Sequence, residues 1–195
     1  ILSLLIWLPI LGAILVLLIG NNRISIARWV SVSISILVFV LSVTLFLDFD
    51  TSTSAMQFVE KASWIGKFNV FYHLGIDGIS MPLIILTTFS TVLVIIAGWE
   101  VIKNRVADYM AAFLMMEGLI IGVFSSMDSM LFYVFWEASL IPMRLIIGVW
   151  GGQNRVYASI KFFLYTFLGS VFMLVSLIYM YNLIGSFAII DIYTF

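Results

Sequence analysis

Four ionisable side chains interrupt long apolar runs: Glu117, Glu137, Arg144 and Lys161. A buried carboxyl can hold a proton near neutral pH because burial disfavours its charged form, and a second carboxyl or a cation nearby moves that balance. An ionised group at mid-bilayer costs at least about 2.5–3.5 kcal/mol on insertion scales, so such groups in apolar spans point by default to a proton relay or an ion pathway. The bland alternative is two protonated glutamates acting as hydrogen-bonded packing, with both cations snorkelling to headgroups. Glu117 and Glu137 stand ten residues before and ten after Met127, the centre of a tight turn. In an antiparallel helical hairpin equal count means equal depth, about 15 Å at 1.5 Å per residue. By the same counting Arg144 and Lys161 share a level on either side of residues 152–153. Arg144 follows Glu137 by seven residues, which puts it on the same face about 10.5 Å away in a straight helix, with Pro142 between them as a kink. Spacing leaves open whether the two glutamates face one another.

The elements that must position these groups are membrane-spanning helices. The 195 residues are 64% hydrophobic and only 10% charged, with mean hydropathy +1.21, outside the range of soluble domains. Six windows are long and apolar enough to span: roughly 2–19, 29–47, 81–98, 110–126, 129–149 and 156–184. The expected fold is an all-α polytopic bundle, a single transmembrane domain over 1–195, with 48–79 as an extramembrane loop on the non-cytoplasmic side. The opening run lacks a basic n-region and a small-residue cleavage site, so it reads as a span and not a signal peptide; Ile1 in place of Met suggests a trimmed start. Residues 30–35 alternate like a strand, but an isolated strand in lipid leaves its backbone unpaired, so helix is expected. Ser80 before Met81-Pro82 reads as a capping hydroxyl at a helix start.

Arg23, Arg28, Lys103, Arg105 and Arg155 fall in the odd-numbered connections, whereas the even-numbered ones hold only Lys61 and Lys67. That bias puts the odd connections in the cytoplasm and both termini on the far side. Trp29, Trp99 and Trp150 stand at span ends, as an aromatic belt requires.

The formal net charge of −1 provides no basic surface for nucleic acid. With no Cys, thiolate-held iron–sulfur clusters, Cys-type zinc sites, disulfides and thiol catalysis are excluded, and the single His73 excludes bis-His haem. No G-x-G-x-x-G or Walker A pattern occurs, so electrons or nucleotides, if used, belong to another chain. Gly118 with Gly122, and Gly148 with Gly152, are small-residue pairs suited to close helix packing. Asp128 reads as an exposed cap, and His73 and Asp77 as structural loop residues, since one His and one Asp make an incomplete metal site.

The run Asp128-Ser129-Met130-Leu131-Phe132-Tyr133-Val134-Phe135-Trp136-Glu137-Ala138-Ser139-Leu140-Ile141-Pro142-Met143, then Val149-Trp150-Gly151-Gly152 and Lys161-Phe162-Phe163-Leu164-Tyr165-Thr166-Phe167-Leu168-Gly169-Ser170, resembles the antiporter-like, chain M type of membrane subunit in the proton-pumping NADH:quinone oxidoreductase, respiratory complex I. Leu74-Gly75-Ile76-Asp77-Gly78-Ile79-Ser80 fits the same pattern, and the resemblance runs essentially end to end while covering well under half the family length. It implies the N-terminal part of a fold with two inverted helical repeats, and a share in proton pumping coupled to NADH-to-quinone electron transfer. It also implies that Glu137 is the essential proton-relay carboxylate, working with a lysine on a broken helix beyond Phe195. Glu117 is a possible second carboxyl, while Lys161 and Arg144 are electrostatic modulators. Arg144 departs from the family, which usually has an aromatic or apolar residue there.

The implied cofactors, NAD, FMN, Fe–S clusters and quinone, belong to partner subunits, with none on this chain and no metal. The implied partners are other complex I membrane subunits and the lipid bilayer, and the implied location is a bacterial inner membrane or, alternatively, a mitochondrial one. Two rivals stand beside this reading: a subunit of a multi-subunit cation/proton antiporter or membrane-bound hydrogenase, and a purely structural membrane scaffold.

Overall fold

Uninterrupted apolar sequence favours helix in lipid because each backbone N–H and C=O must be paired within its own segment. The computed structural model describes residues 1–194 and contains seven helices: α1 Leu2–Ile19, α2 Ile24–Leu47, α3 Ser80–Val101, α4 Val106–Ser125, α5 Ser129–Trp150, α6 Arg155–Ile184 and α7 Ile189–Thr194. The first six are long and apolar enough to cross a membrane. Residues 30–35 are helical within α2, where the Ser31 hydroxyl donates to the Ala27 carbonyl at 2.7 Å and both Ser31 and Ser35 are fully buried. The chain's all-helical bundle is thus built from the elements its hydropathy dictates.

α4 is the central helix, packed against α1, α5, α3 and α2. Small residues permit this. A Cβ on Gly118 would overlap the Ile6 carbonyl of α1, and one on Gly122 would meet the Phe135 ring of α5 at 2.7 Å. One core cluster joins Leu2, Leu5 and Ile6 to Ile121, Leu131 and Phe135; a second joins Ala13 and Val16 to Met110 and Leu114. By contrast, only Ser159 and Ser170 of α6 are buried, its other side chains being half-buried or exposed.

The segment 48–79 connects α2 to α3. It holds an antiparallel hairpin, β1 Gln57–Ile65 and β2 Val70–Ile76, with Lys61 opposite His73 and Ala62 opposite Tyr72. Asn69 turns the hairpin in the left-handed region at φ 52°, a conformation Asn tolerates better than most residues. The hairpin lies across the start of α1, where the Ser3 hydroxyl donates to Glu60 and Trp7 Nε1 donates to the Tyr72 hydroxyl at 3.2 Å. Burial, reinforced by the Lys61 ammonium and opposed by Asp128, holds the pKa of His73 below its ordinary value.

Two capping expectations are corrected. α3 begins at Ser80, but the acceptor that caps it is Asp77, whose Oδ1 receives the Ser80 N–H at 2.7 Å and the Ile79 N–H at 3.1 Å. Those bonds, the Ser80 backbone first, keep the Asp77 carboxyl below the usual carboxylate range. Asp128 does cap α5, yet it is buried, not exposed, at 1% of its free surface, because the hairpin and the segment before α7 close over it.

Connections of like parity meet. At one end the Arg28 guanidinium donates to the Ile102 carbonyl, Asn21 Oδ1 accepts the Ala107 N–H, and Trp150 Nε1 donates to the Asn104 carbonyl. Trp29 and Trp99 pack edge to face there, with centroids 5.3 Å apart. At the other end the Met127 N–H donates to the His73 carbonyl at 2.8 Å, and the Ser129 N–H to the Phe187 carbonyl at 2.8 Å.

Candidate functional site

The N-terminus of α5 is the best-anchored point near the acidic residues. Asp128 Oδ1 accepts the Met130 and Leu131 N–H groups at 2.9 and 3.1 Å, while Oδ2 accepts the Phe71 N–H of β2 at 3.1 Å. From that cap, Leu131 and Phe135 turn into the core, one helical turn apart. Glu137, two residues after Phe135, therefore points to another face. It is partly exposed, with Oε1 buried and without a hydrogen-bond partner. Tyr133, one turn earlier, is a polar side chain that neighbours it; its four-residue spacing from Glu137 is the signal by which the chain could have disclosed the contact.

Glu117 is deeper, at 1% exposure, and neither of its oxygens has a hydrogen-bond partner. It stands eight residues before the end of α4 and Glu137 eight after the start of α5, so both lie about 12 Å in from the turn. Equal depth does not make them a pair. Glu117 lines a cleft of about 350 Å³ between α3 and α4, with Thr87, Ser90, Thr91, Phe113 and Phe124, and Glu137 is not among the lining residues.

The two cations are arranged over aromatic rings on α6. The Arg144 guanidinium lies 4.7 Å from the Phe163 centroid, and Lys161 Nζ lies 5.7 and 6.0 Å from those of Tyr157 and Tyr165. Both side chains are exposed on the surface of this chain. Ring contacts of this kind contribute about 0.5–1 kcal/mol at exposed sites and more when desolvated. Close approach of α5 and α6 places Arg144 there: Ser159 Oγ donates to the Arg144 carbonyl at 3.0 Å and sits 3.1 Å from where a Cβ on Gly148 would be. Gly152, its sequence partner in the small-residue pair, has nothing within 4 Å. Among the described residues, the ion pair between two side chains is Arg105–Asp108 at 2.7 Å, and neither Arg144 nor Lys161 forms one with Glu137.

The arrangement thus holds two separate carboxyls at similar depth, with Arg144 and Lys161 on the α5–α6 side. Comparison with known proteins bears on what such carboxyls serve. Residues 4–125 match the family model described as the amino terminus of NADH-ubiquinone oxidoreductase chain 4, and residues 126–195 match that of the NADH:quinone oxidoreductase/Mrp antiporter transmembrane region. NADH-quinone oxidoreductase subunit M of Rickettsia prowazekii (strain Madrid E) is 44% identical over 98% of this chain and 40% of its own length. NADH-ubiquinone oxidoreductase chain 4 of Arabidopsis thaliana is 46% identical over 91% of this chain and 36% of its own.

A chain of respiratory complex I from Thermus thermophilus with bound NADH superposes with a TM-score of 0.85 at 29% identity, covering 98% of this chain and 38% of that one. A chain of the Mrp complex from Dietzia sp. DQ12-45-1b shares the fold, with a TM-score of 0.79 at 14% identity over 96% of this chain and 20% of that one. The chain spans about two fifths of the length of the curated relatives it matches.

Proposed function

The chain belongs to the NADH-ubiquinone oxidoreductase chain 4 family, and from that premise we propose that it forms the amino-terminal part of a proton-translocating membrane subunit of an NADH:quinone oxidoreductase. In this reading NADH oxidation and quinone reduction take place on other subunits, which carry the nucleotide, flavin, iron–sulfur and quinone sites. This chain takes part by changing the charge on Glu137. Its partners are the neighbouring membrane subunits, and its home is a bacterial inner membrane or the mitochondrial inner membrane derived from one.

The observation that carries the proposal is a carboxyl within the apolar helix α5, partly buried and with Oε1 unpartnered. A unit charge about 10 Å away, at an effective dielectric of about 20, interacts with it by about 1.7 kcal/mol, enough to change its proton affinity more than tenfold. Arg144, seven residues after Glu137 on α5, and Lys161 on α6 are the positive groups of this chain assigned a supporting role, screened by their exposure. Movement of a cation toward or away from Glu137 would then drive uptake and release of the proton. In the assembled enzyme Glu137→Gln is expected to abolish proton pumping and to depress quinone reduction, measured together in vesicles. Full pumping by that variant would overturn the assignment.

A second reading has a specific basis, because the family model over residues 126–195 also covers Mrp antiporters. In it the same carboxyl would exchange protons for another cation. Co-purification of the chain with NADH-oxidising subunits supports the first reading, and with antiporter subunits alone the second.

A further inference from the structure

Glu117 has no place in the α5 mechanism. It is a carboxyl at 1% exposure with both oxygens unpartnered, and it lines a cleft that opens between α3 and α4 on a side of the helix pair that Glu137 does not line. The cleft's other polar groups are of one chemical kind. The Thr87 hydroxyl donates to the Leu83 carbonyl at 2.8 Å and the Thr91 hydroxyl to the Thr87 carbonyl at 3.0 Å. A hydroxyl has a single proton to give, so each presents only acceptor lone pairs to whatever occupies the cleft. Ser90 adds a third hydroxyl to the lining, and a carboxyl that shares a cleft with hydroxyl oxygens, rimmed by Phe113 and Phe124, suits a hard cation or a donor proton.

No positive side chain of this chain competes for the site. α1 carries no ionisable side chain, α3 only Glu100 near its end, α4 itself, besides Glu117, Asp108 and Tyr109 in its first turn, and α2 only Arg28 near its start. α5 brings Tyr133, Glu137 and Arg144, none of which lines the cleft.

We propose that Glu117 and the α3–α4 cleft form a second, independent cation site, where the carboxylate takes up and releases either a proton delivered by water or a sodium ion. In the proton case the O–H bond formed at Glu117 is balanced by its loss from hydronium, and release reverses it. The site deepens the family-based reading above and rests on it only for the membrane setting, because its chemistry does not require Glu137 to pump.

The test is modification by dicyclohexylcarbodiimide, an apolar reagent that adds to a protonated carboxyl in an apolar setting. It is applied to the membrane-embedded complex with the full-length chain, and the adduct is read by peptide mass spectrometry. Glu117 is expected to be labelled at acidic pH, with yield falling at least tenfold toward alkaline pH. Loss of labelling at fixed pH when choline is replaced by sodium identifies sodium as the bound ion, and a yield that follows pH alone identifies the proton. Labelling should persist in a Glu137→Gln complex, which separates this site from the pumping assignment, and should vanish from that peptide in Glu117→Gln. The proposal is overturned if Glu117 stays unlabelled at every pH while the denatured chain reacts. Equal labelling at every pH and in every salt also overturns it, since that is the behaviour of a permanently protonated packing group.

Discussion

At Asp128 a single carboxylate holds three backbone N–H groups from two elements, Met130 and Leu131 of α5 and Phe71 of β2, in a buried setting. Removing a helix cap costs about 0.5–2 kcal/mol, and stranding a buried donor about 1–3 kcal/mol. Asp128→Ala is therefore expected to destabilise the chain by about 2–4 kcal/mol, and Asp128→Asn, which keeps one acceptor oxygen, by about half that. Thermal unfolding of the solubilised complex, followed by protease sensitivity of the hairpin, checks both; equal effects would show that the acceptor chemistry is not what matters. The sequence marked Asp128 as a cap by its place before an apolar run, but its burial depends on residues 71 and 188, which are distant in the chain. Glu137 was likewise legible by type and depth. The direction of a side chain around its helix axis was not, and that direction is what sends Glu117 to the α3–α4 cleft instead of toward α5.

The helices could be read from the chain because each satisfies its own backbone, so periodicity and length suffice. The hairpin could not. Its ladder is irregular between Gln57 and Glu60 and again between Ser63 and Ile65, and β2 gains partners from residues 126–128, so no local alternation reports it. α7 is six residues long, too short for a hydropathy window to register. The glycine pair of α4 was read as one packing motif, yet each member serves a different neighbour. At Gly118 the obstacle to a side chain is the Ile6 backbone carbonyl, which cannot move without shifting α1; at Gly122 it is the Phe135 ring, which can tilt. Gly118→Ala is thus expected to cost about 1–3 kcal/mol, in the range of overpacked cores, and Gly122→Ala distinctly less. Unfolding temperatures of the two variants, compared in the same detergent, would reverse in order if the α1–α4 contact were the looser one.

Across the whole molecule, the two ends of the bundle differ in charge and in architecture. The end formed by residues 20–23, 102–105 and 151–154 collects Arg23, Lys103 and Arg105 beside Arg28 and Arg155. Hydrogen bonds from Arg28 to Ile102 and from Trp150 to Asn104 tie these connections into one surface. The opposite end carries the hairpin, the α4–α5 turn and α7, with Lys61 and Lys67 as its basic residues among them. Basic residues in short connections are retained on the cytoplasmic side during insertion. The first end should therefore face the cytoplasm, with the hairpin outside. Because residues 1–195 contain no cysteine, a single substitution read on its own peptide reports this. In right-side-out vesicles a membrane-impermeant maleimide is expected to modify Lys67→Cys and to leave Lys103→Cys untouched until the membrane is permeabilised, with the order reversed in inverted vesicles. The opposite pattern would place the hairpin in the cytoplasm and invert the direction in which any proton leaving Glu137 must travel.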